Sequence, residues 1–363
     1  MEVLKKLKQI SIKNVLVKAF AFIAAGVILF VAFGGVNFVK AKLKGPTDIY
    51  ELSVDELEGA YVSAEVYFLF DMYAYTEETK DGVDTGKILN KEYIIPVGEQ
   101  EYMGVSLPSA YLQQADTLLE ECNTYFTNGT SPTISFVVEG TILPMEADSL
   151  SFYHDMVGYN NEDATPEYQA LFLPYYLKAD TIGTYEVGTL YMVVAASVIL
   201  IGVGLYMLLR ALVGGYQSKM KKIVSAQENS ELLWDELEKF YENTEPVNGI
   251  RISENWILYQ KGANSVLLWA KDIVWAYQST TTHRMYGIPT GKTYCVVLRT
   301  GEGKQYQIAV KTETMAQDVI RQLEDKLLGV TVGYTAEIVA LYNTDRESFV
   351  KRRQEGKVNS EVF

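Results

Sequence analysis

A chain of 363 residues with 48% apolar side chains and a formal charge of -14 is long enough for more than one core, and its net charge argues against a nucleic-acid partner. The charge is unevenly spread. Residues 45 to 187 carry 26 acidic side chains against four lysines, a balance of -22, whereas residues 216 to 363 carry 19 of each sign. The middle segment should therefore repel polyanions and anionic lipid head groups and accept cations or a basic partner.

Residues 1 to 18 form a basic N-terminus with Lys5, Lys6, Lys8, Lys13 and Lys18 against Glu2. Ala19 to Val39 then runs without an ionisable group, as does Val187 to Leu209. Roughly 20 apolar residues cross a hydrocarbon core, so both runs are expected to be transmembrane helices, at 19–39 and 187–209. Lysines before the first run, and Arg210, Lys219, Lys221 and Lys222 after the second, place both termini in the cytoplasm and residues 40–186 outside it, with Lys40, Lys42 and Lys44 opposing. A cleaved signal peptide has a shorter apolar core and a small-x-small site, which Val39-Lys40-Ala41 matches poorly, so an uncleaved anchor is expected. Ala21 with Ala25, and Gly202 with Gly204, allow the spans to pair with each other or in a homo-oligomer. Neither run holds the intramembrane charge that transport uses.

The acidic segment, 40–186, reads as α+β. Ala60–Tyr75, Glu92–Val97, Tyr102–Leu107, Thr133–Leu143 and Tyr175–Ile182 have strand composition. In Ala110–Phe126, Tyr111, Ala115, Leu118, Leu119, Cys122 and Phe126 form one helical face, and Leu150–Val157 is a short helix. A curved sheet or partial barrel fits this content, with no strand order implied. Asp81-Gly-Val-Asp84-Thr-Gly86 is acidic but lacks the ligand spacing of a calcium loop and reads as a solvated turn; Glu77-Glu78, Glu120-Glu121 and Asn161-Glu162-Asp163 read as solvated faces. The fifteen tyrosines between residues 45 and 187 supply core packing and a reserve of recognition surface. Asn128-Gly-Thr130 fits a glycosylation pattern.

Residues 210–248 form a helical connector of two helices, with Ser225 and Glu228 as a capping box. Six short strands follow: 249–253, 256–260, 265–269, 273–282, 293–300 and 304–311. A helix opened by Thr312 and Glu313 then presents Ala316, Val319, Ile320, Leu323 and Leu327 before Gly329. Residues 329–363 add a short helix, Thr335–Tyr342, and a basic tail with Lys351, Arg352, Arg353 and Lys357, read as solvated despite a weak lipid attraction. Glu347, Glu355 and Glu361 dilute that tail.

Antiparallel strands closed by one helix over residues 249–328 resemble a pleckstrin-homology-like (PH-like) domain. Trp256-Ile-Leu-Tyr259, Asp272-Ile-Val-Trp-Ala-Tyr277, His283-Arg284 with Tyr286-Gly-Ile-Pro289, and Gly333-Tyr334, together with two spans and an acidic loop, resemble an uncharacterised family of bacterial membrane proteins with a cytoplasmic PH-like domain. That resemblance implies no activity. Phosphoinositide binding does not follow, since the hairpin 256–269 offers only Lys261 where lipid-binding members place several basic residues.

Chemical motifs are sparse. Cys122 and Cys295 fall on opposite sides of the expected membrane, as do His154 and His283, so neither a disulfide joining the cysteines nor a zinc site is expected. Gly287-Ile-Pro-Thr-Gly291-Lys292-Thr293 misses the P-loop spacing by one residue and leads into a strand, so it reads as a loop. His283 beside Arg284 reads as a polar strand end. No catalytic, cofactor or metal residues are assigned. The expectation is a non-enzymatic membrane scaffold or adaptor, resident in the bilayer and binding an unknown protein partner. The alternatives are a ligand sensor signalling from outer to inner domain, and a membrane enzyme whose site is not visible in sequence.

Overall fold

The structure is a computed structural model that describes residues 1–98, 100–286 and 288–360. It divides into two compact units: Met1–Ile23 with Gly202–Phe363, labelled the inner unit, and Ala24–Ile201, labelled the outer unit, after the sides expected from the sequence. Two helices are long and apolar enough to cross a membrane: α1, Glu2–Ala32, and α6, Val187–Leu212.

The helix that carries the first apolar run is longer than that run at its N-terminal side and is interrupted before the run ends. It begins at Glu2 rather than near Ala19, and it stops at Ala32, short of Val39. Gly34 adopts φ 78°, a left-handed geometry open to glycine at no steric cost, and the chain restarts as α2, Gly35–Lys44. On α1 the buried residues Val3, Leu7, Ser11, Val15 and Ala19 recur every four positions. On α6, Leu190, Ser197, Gly204 and Ala211 recur every seven, the spacing of a helix-packing seam.

The contacts along these seams are close. In the outer unit, a Cβ built at Gly26 would lie 2.9 Å from the Ser197 carbonyl oxygen. In the inner unit, one at Gly204 would lie 2.7 Å from that of Ala19. The small residues that permit approach are therefore Gly26 and Gly204. The expected Ala21 and Ala25 are exposed, and a Cβ at Gly202 would meet nothing within 4 Å.

In the outer unit, β1 (Thr47–Asp48), β2 (Tyr61–Val66), β3 (Met72–Lys80), β4 (Val83–Val97), β5 (Glu101–Pro108), β6 (Phe136–Pro144) and β7 (Phe172–Ala179) form one mixed sheet. Its order is β1-β2-β6-β7-β5-β4-β3. No barrel closes. α3 (Leu112–Asn128) covers one face through Ala115, Leu118 and Cys122, against Tyr93, Ile95, Met103, Val105 and Leu177. α4 (Ala147–Met156) covers the other through Tyr153, against Tyr73, Ile94, Met145 and Tyr176. The alternation of Tyr93, Ile94 and Ile95 between these two cores follows from the two-residue period of a strand. A short helix, α5 (Pro166–Gln169), and a two-stranded piece, β8 (Thr181–Ile182) with β9 (Tyr185–Glu186), complete the unit.

In the inner unit α6 leads into α7 (Ser218–Ser225) and α8 (Ser230–Asn243). Ser225 ends α7 rather than opening the next helix, whose N-cap position is Asn229. Then β10 (Arg251–Ile252), β11 (Trp256–Lys261) and β12 (Asn264–Trp269) form one antiparallel sheet. The second sheet holds β13 (Ile273–Met285), β14 (Ile288–Thr300), β15 (Gln305–Val310) and the short β16 (Thr331–Val332) in the order β15-β14-β13-β16. α9 (Glu313–Lys326), capped by the Thr312 hydroxyl accepting from the Met315 N–H, buries Ala316, Val319 and Leu323 among residues of both sheets.

The outward faces are covered too. Trp256, Leu258 and Leu267 of the first sheet pack with Val3, Leu7, Met220, Val224, Trp234, Leu237 and Phe240. Val274, Trp275, Tyr277 and Val297 of the second pack with Tyr342 of α10 (Ala336–Thr344) and Phe349 of α11 (Arg346–Ser360).

Candidate interaction surfaces

Past β2 the chain leaves the sheet at Tyr67 and rejoins it at Met72, and this bend brings aromatic residues to the edge of the outer core. Phe68 lies 5.8 Å from Tyr125 and 5.7 Å from Phe126, both at the C-terminal end of α3. The series continues from Phe68 to Phe70 at 4.9 Å, on to Tyr102 at 5.0 Å and then to Phe172 at 5.5 Å. Tyr168 adds a further ring 5.1 Å from Phe172. Ring pairs at these separations, edge-to-face, tilted or offset-stacked, stabilise one another. Phe126 is 60% exposed and Tyr67 46% exposed.

At one end of the strip Glu65, Tyr67, Phe68 and Tyr125 join residues 131–135 around a shallow cleft of about 470 Å³. Glu121 fixes the returning loop: its carboxylate accepts from the Thr133 N–H at 2.6 Å and from the Ile134 N–H at 3.3 Å. These hydrogen bonds hold the Glu121 carboxyl below the usual range. One oxygen of Glu65 accepts from the Ser135 hydroxyl at 2.6 Å, and among the described residues Glu65 has no ion-pair partner. The cleft thus combines exposed aromatic faces with an uncompensated carboxylate.

A second constellation lies in the inner unit. Gln217, 1% exposed, donates through Nε2 to the Ser11 hydroxyl at 2.7 Å and to the Ser265 hydroxyl at 3.3 Å. Ser11 donates to the Ala263 carbonyl at 2.6 Å, and the Asn14 amide donates to the Gly262 carbonyl at 3.0 Å. One polar knot therefore ties α1, the segment after α6 and the β11–β12 turn. The Gln217 carbonyl oxygen has no protein partner, a cost tolerated inside an otherwise bonded network. Gln217→Leu should destabilise the inner unit by about 1–3 kcal/mol, because it strips the Ser11 hydroxyl of its amide donor, whereas Ser265 keeps the Gln260 amide at 3.0 Å. A cycle with Ser11→Ala, read by denaturant unfolding of the solubilised chain, should return a coupling of about 1 kcal/mol; additive losses would mean the knot is not formed.

The residues singled out in the sequence are dispersed. Asp81 and Gly82, both at positive φ, make the tight β3–β4 turn, where Asp84 accepts from the Thr79 hydroxyl at 3.1 Å. Among the described residues no group of three or more His, Cys, Asp or Glu is gathered for a metal ion. His154 stacks on Tyr159 at 3.9 Å, and burial holds its imidazole below the usual pKa. His283 meets the Thr293 hydroxyl at 2.7 Å across the β13–β14 ribbon.

Gly287, Lys357 and Glu361 lie outside the described residues or side chains. Arg353 corrects the expectation of a solvated tail: it is 3% exposed and donates to backbone carbonyls of Ala270, Ile273 and Leu328. Its neighbours Lys351 and Arg352 are exposed. Cys122 is fully buried, and desolvation raises its thiol pKa. A maleimide should therefore modify Cys122 only after unfolding, which mass spectrometry of native and denatured samples would detect.

A family model described as Domain of unknown function (DUF8577) matches residues 4–210. The chain belongs to that family. A second, described as Domain of unknown function (DUF6709), matches residues 214–342. No curated protein and no solved structure matches the chain. The two family segments meet just after α6, yet Leu7, at the start of the first, and Val3, just ahead of it, pack in the core built by the second. The Gln217 knot has the same composition, joining Ser11 from the first segment to Gln217 and Ser265 from the second.

Nothing in the sequence marked Ser11 or Gln217 for attention. The available signal was the four-residue recurrence of Val3, Leu7, Ser11 and Val15 among the lysines.

Proposed function

We propose that this protein is a non-enzymatic, two-span membrane adaptor. In this reading residues 40–186 lie outside the cytoplasm, both termini lie inside, and residues 249–328 form a PH-like domain. The outer unit captures a basic protein partner through the aromatic strip and the cleft at Tyr67 beside it, and the inner unit engages a second partner. The observation that carries the reading is the half-buried aromatic strip with exposed rings at Phe126, Tyr125 and Tyr168, beside Glu65, which has no ion-pair partner among the described residues, on a segment with a balance of -22. Exposed Tyr and Phe rings held by neighbouring rings supply affinity at protein interfaces, while the surrounding acidic field selects a basic partner and speeds its approach. Two spans are supported by the length and apolarity of α1 and α6, and the orientation by the lysines ahead of Ala19. Six strands closed by α9 support the PH-like reading, although helices cover both outward sheet faces.

The test is in-cell crosslinking of tagged full-length protein, beside the variant Tyr67→Ser/Tyr125→Ser/Phe126→Ser. The expected result is a basic protein captured by the wild type and lost from the variant. Self-crosslinks alone, or capture indifferent to these positions, would remove the adaptor reading. A sensor is the second reading, supported by the Gln217 knot that ties α1 to the segment following α6.

A further inference from the structure

β13 and β14 pair at twelve positions, but β15 pairs β14 only over Tyr294–Arg299 and β16 pairs β13 only at Trp275 and Ala276. Beyond those neighbours, Thr280–Met285 and Ile288–Thr293 form a two-stranded ribbon whose residues are all exposed. An isolated ribbon is marginal in water, so this length of chain calls for a surface that orders it.

The chemistry of its end is specific. Met285 is 60% exposed, Tyr286 97% and Ile288 68%. Arg284 and Lys292 stand just behind them, with His283 alongside. No acidic residue occurs between Asp272 and Glu302, in a chain with 46 acidic residues among 363. An apolar and aromatic tip with a cationic collar and no carboxylate suits the interface of an anionic bilayer, where rings and thioethers enter the head-group boundary and basic side chains meet phosphates.

We propose that the β13–β14 ribbon docks on an anionic lipid surface, with Met285, Tyr286 and Ile288 entering the interface and Arg284 and Lys292 facing lipid phosphates. The proposal rests on the two-span reading for its tether. The ribbon shares its compact unit with Met1–Ile23 and the end of α6, so a spanning chain would hold it at high effective concentration beside the bilayer.

The test is hydrogen exchange on the full-length chain in nanodiscs of phosphatidylcholine, alone or mixed with phosphatidylglycerol. Two basic side chains near an anionic surface favour docking by about thirtyfold, so amides of residues 280–286, 288 and 290–293 should exchange at least about fivefold more slowly in the anionic discs. The protection should vanish in Arg284→Gln/Lys292→Gln and in Met285→Ser/Tyr286→Ser/Ile288→Ser, all at exposed positions where the fold is not at stake.

Equal exchange in both discs overturns the proposal. Protection that follows the number of chains per disc rather than lipid charge also overturns it, in favour of a second copy. Alkaline extraction of cell membranes tests the two-span reading separately. A chain stripped by alkali refutes that reading alone, and the ribbon is then judged by flotation with vesicles of phosphatidylcholine, alone or mixed with phosphatidylglycerol. Flotation abolished by the ribbon variants upholds docking, and its absence or indifference to them overturns it.

Discussion

Trp256→Ala should destabilise the inner unit by about 3–5 kcal/mol, the range for truncating a large aromatic residue in a packed core. Trp256 is 1% exposed and stacks on Trp269 with ring centroids 3.9 Å apart at 28°. Its cluster joins Val3 and Leu7 of α1 to Met220 and Val224 of α7 and to Trp234, Leu237 and Phe240 of α8. The cavity would open where three helices meet the first sheet, and α1 contributes only a narrow stripe of contacts there. The N-terminal helix should therefore loosen before the rest of the unit unfolds.

Trypsin provides the readout, because Lys5, Lys6 and Lys8 lie within this stretch. The solubilised wild type should resist cleavage there, while Trp256→Ala should be cut at concentrations that spare the strands. Trp256→Phe keeps an aromatic ring in place and should show a smaller effect. Equal cleavage of wild type and Trp256→Ala would mean that the first 18 residues do not pack on the inner unit.

The same stretch shows what kind of structure was legible. Elements that bury one face on a local period could be read directly. Ala115, Leu118 and Cys122 announced α3, and the strands expected at 293–300 and 304–311 correspond to the end of β14 and to β15, which pair antiparallel. The first turns of α1 have the same kind of stripe, but interleaved lysines made it look like the basic flank of a membrane span. Amphipathic packing and topology signal use the same residues here, and only the partner surface distinguishes them.

The outer strand order was hidden for a different reason. β5 pairs in parallel with β7 across more than sixty residues, and β6 sits between β2 and β7, so the sheet depends on distant contacts that no local pattern encodes. The aromatic strip was legible only as tyrosine abundance. Its assembly needs the bend at residues 67–71 to bring Phe68 and Phe70 to the end of α3.

Arg353 is the sharpest case of a side chain whose role depends on its partners, and its replacement is the second change with a large expected effect. Burial lowers the affinity of its guanidinium for the proton, yet among the described residues no carboxylate forms an ion pair with it. Three carbonyls compensate instead. Nε donates to Ile273 at 3.2 Å, Nη2 to Ala270 at 3.4 Å and Nη1 to Leu328, just past the C-terminus of α9. The peptide dipoles of that helix point negative charge toward the guanidinium, which favours a cation at this position.

Arg353→Ala removes all three donors and opens space between α11 and the start of the second sheet. A hydrogen bond to a charged group contributes about 1.5–3 kcal/mol, and the longer contacts count for less, so a loss of about 3–5 kcal/mol is expected. Arg353→Met separates packing from hydrogen bonding because it restores much of the volume but no donor. It should recover less than half of the loss. Arg353→Lys should also recover little, since one ammonium group cannot reproduce a planar fork that reaches three carbonyls. Hydrogen exchange over residues 346–356, alongside thermal unfolding of the solubilised chain, would measure the effect. A methionine variant as stable and as protected as the wild type would show that Arg353 acts through its bulk alone.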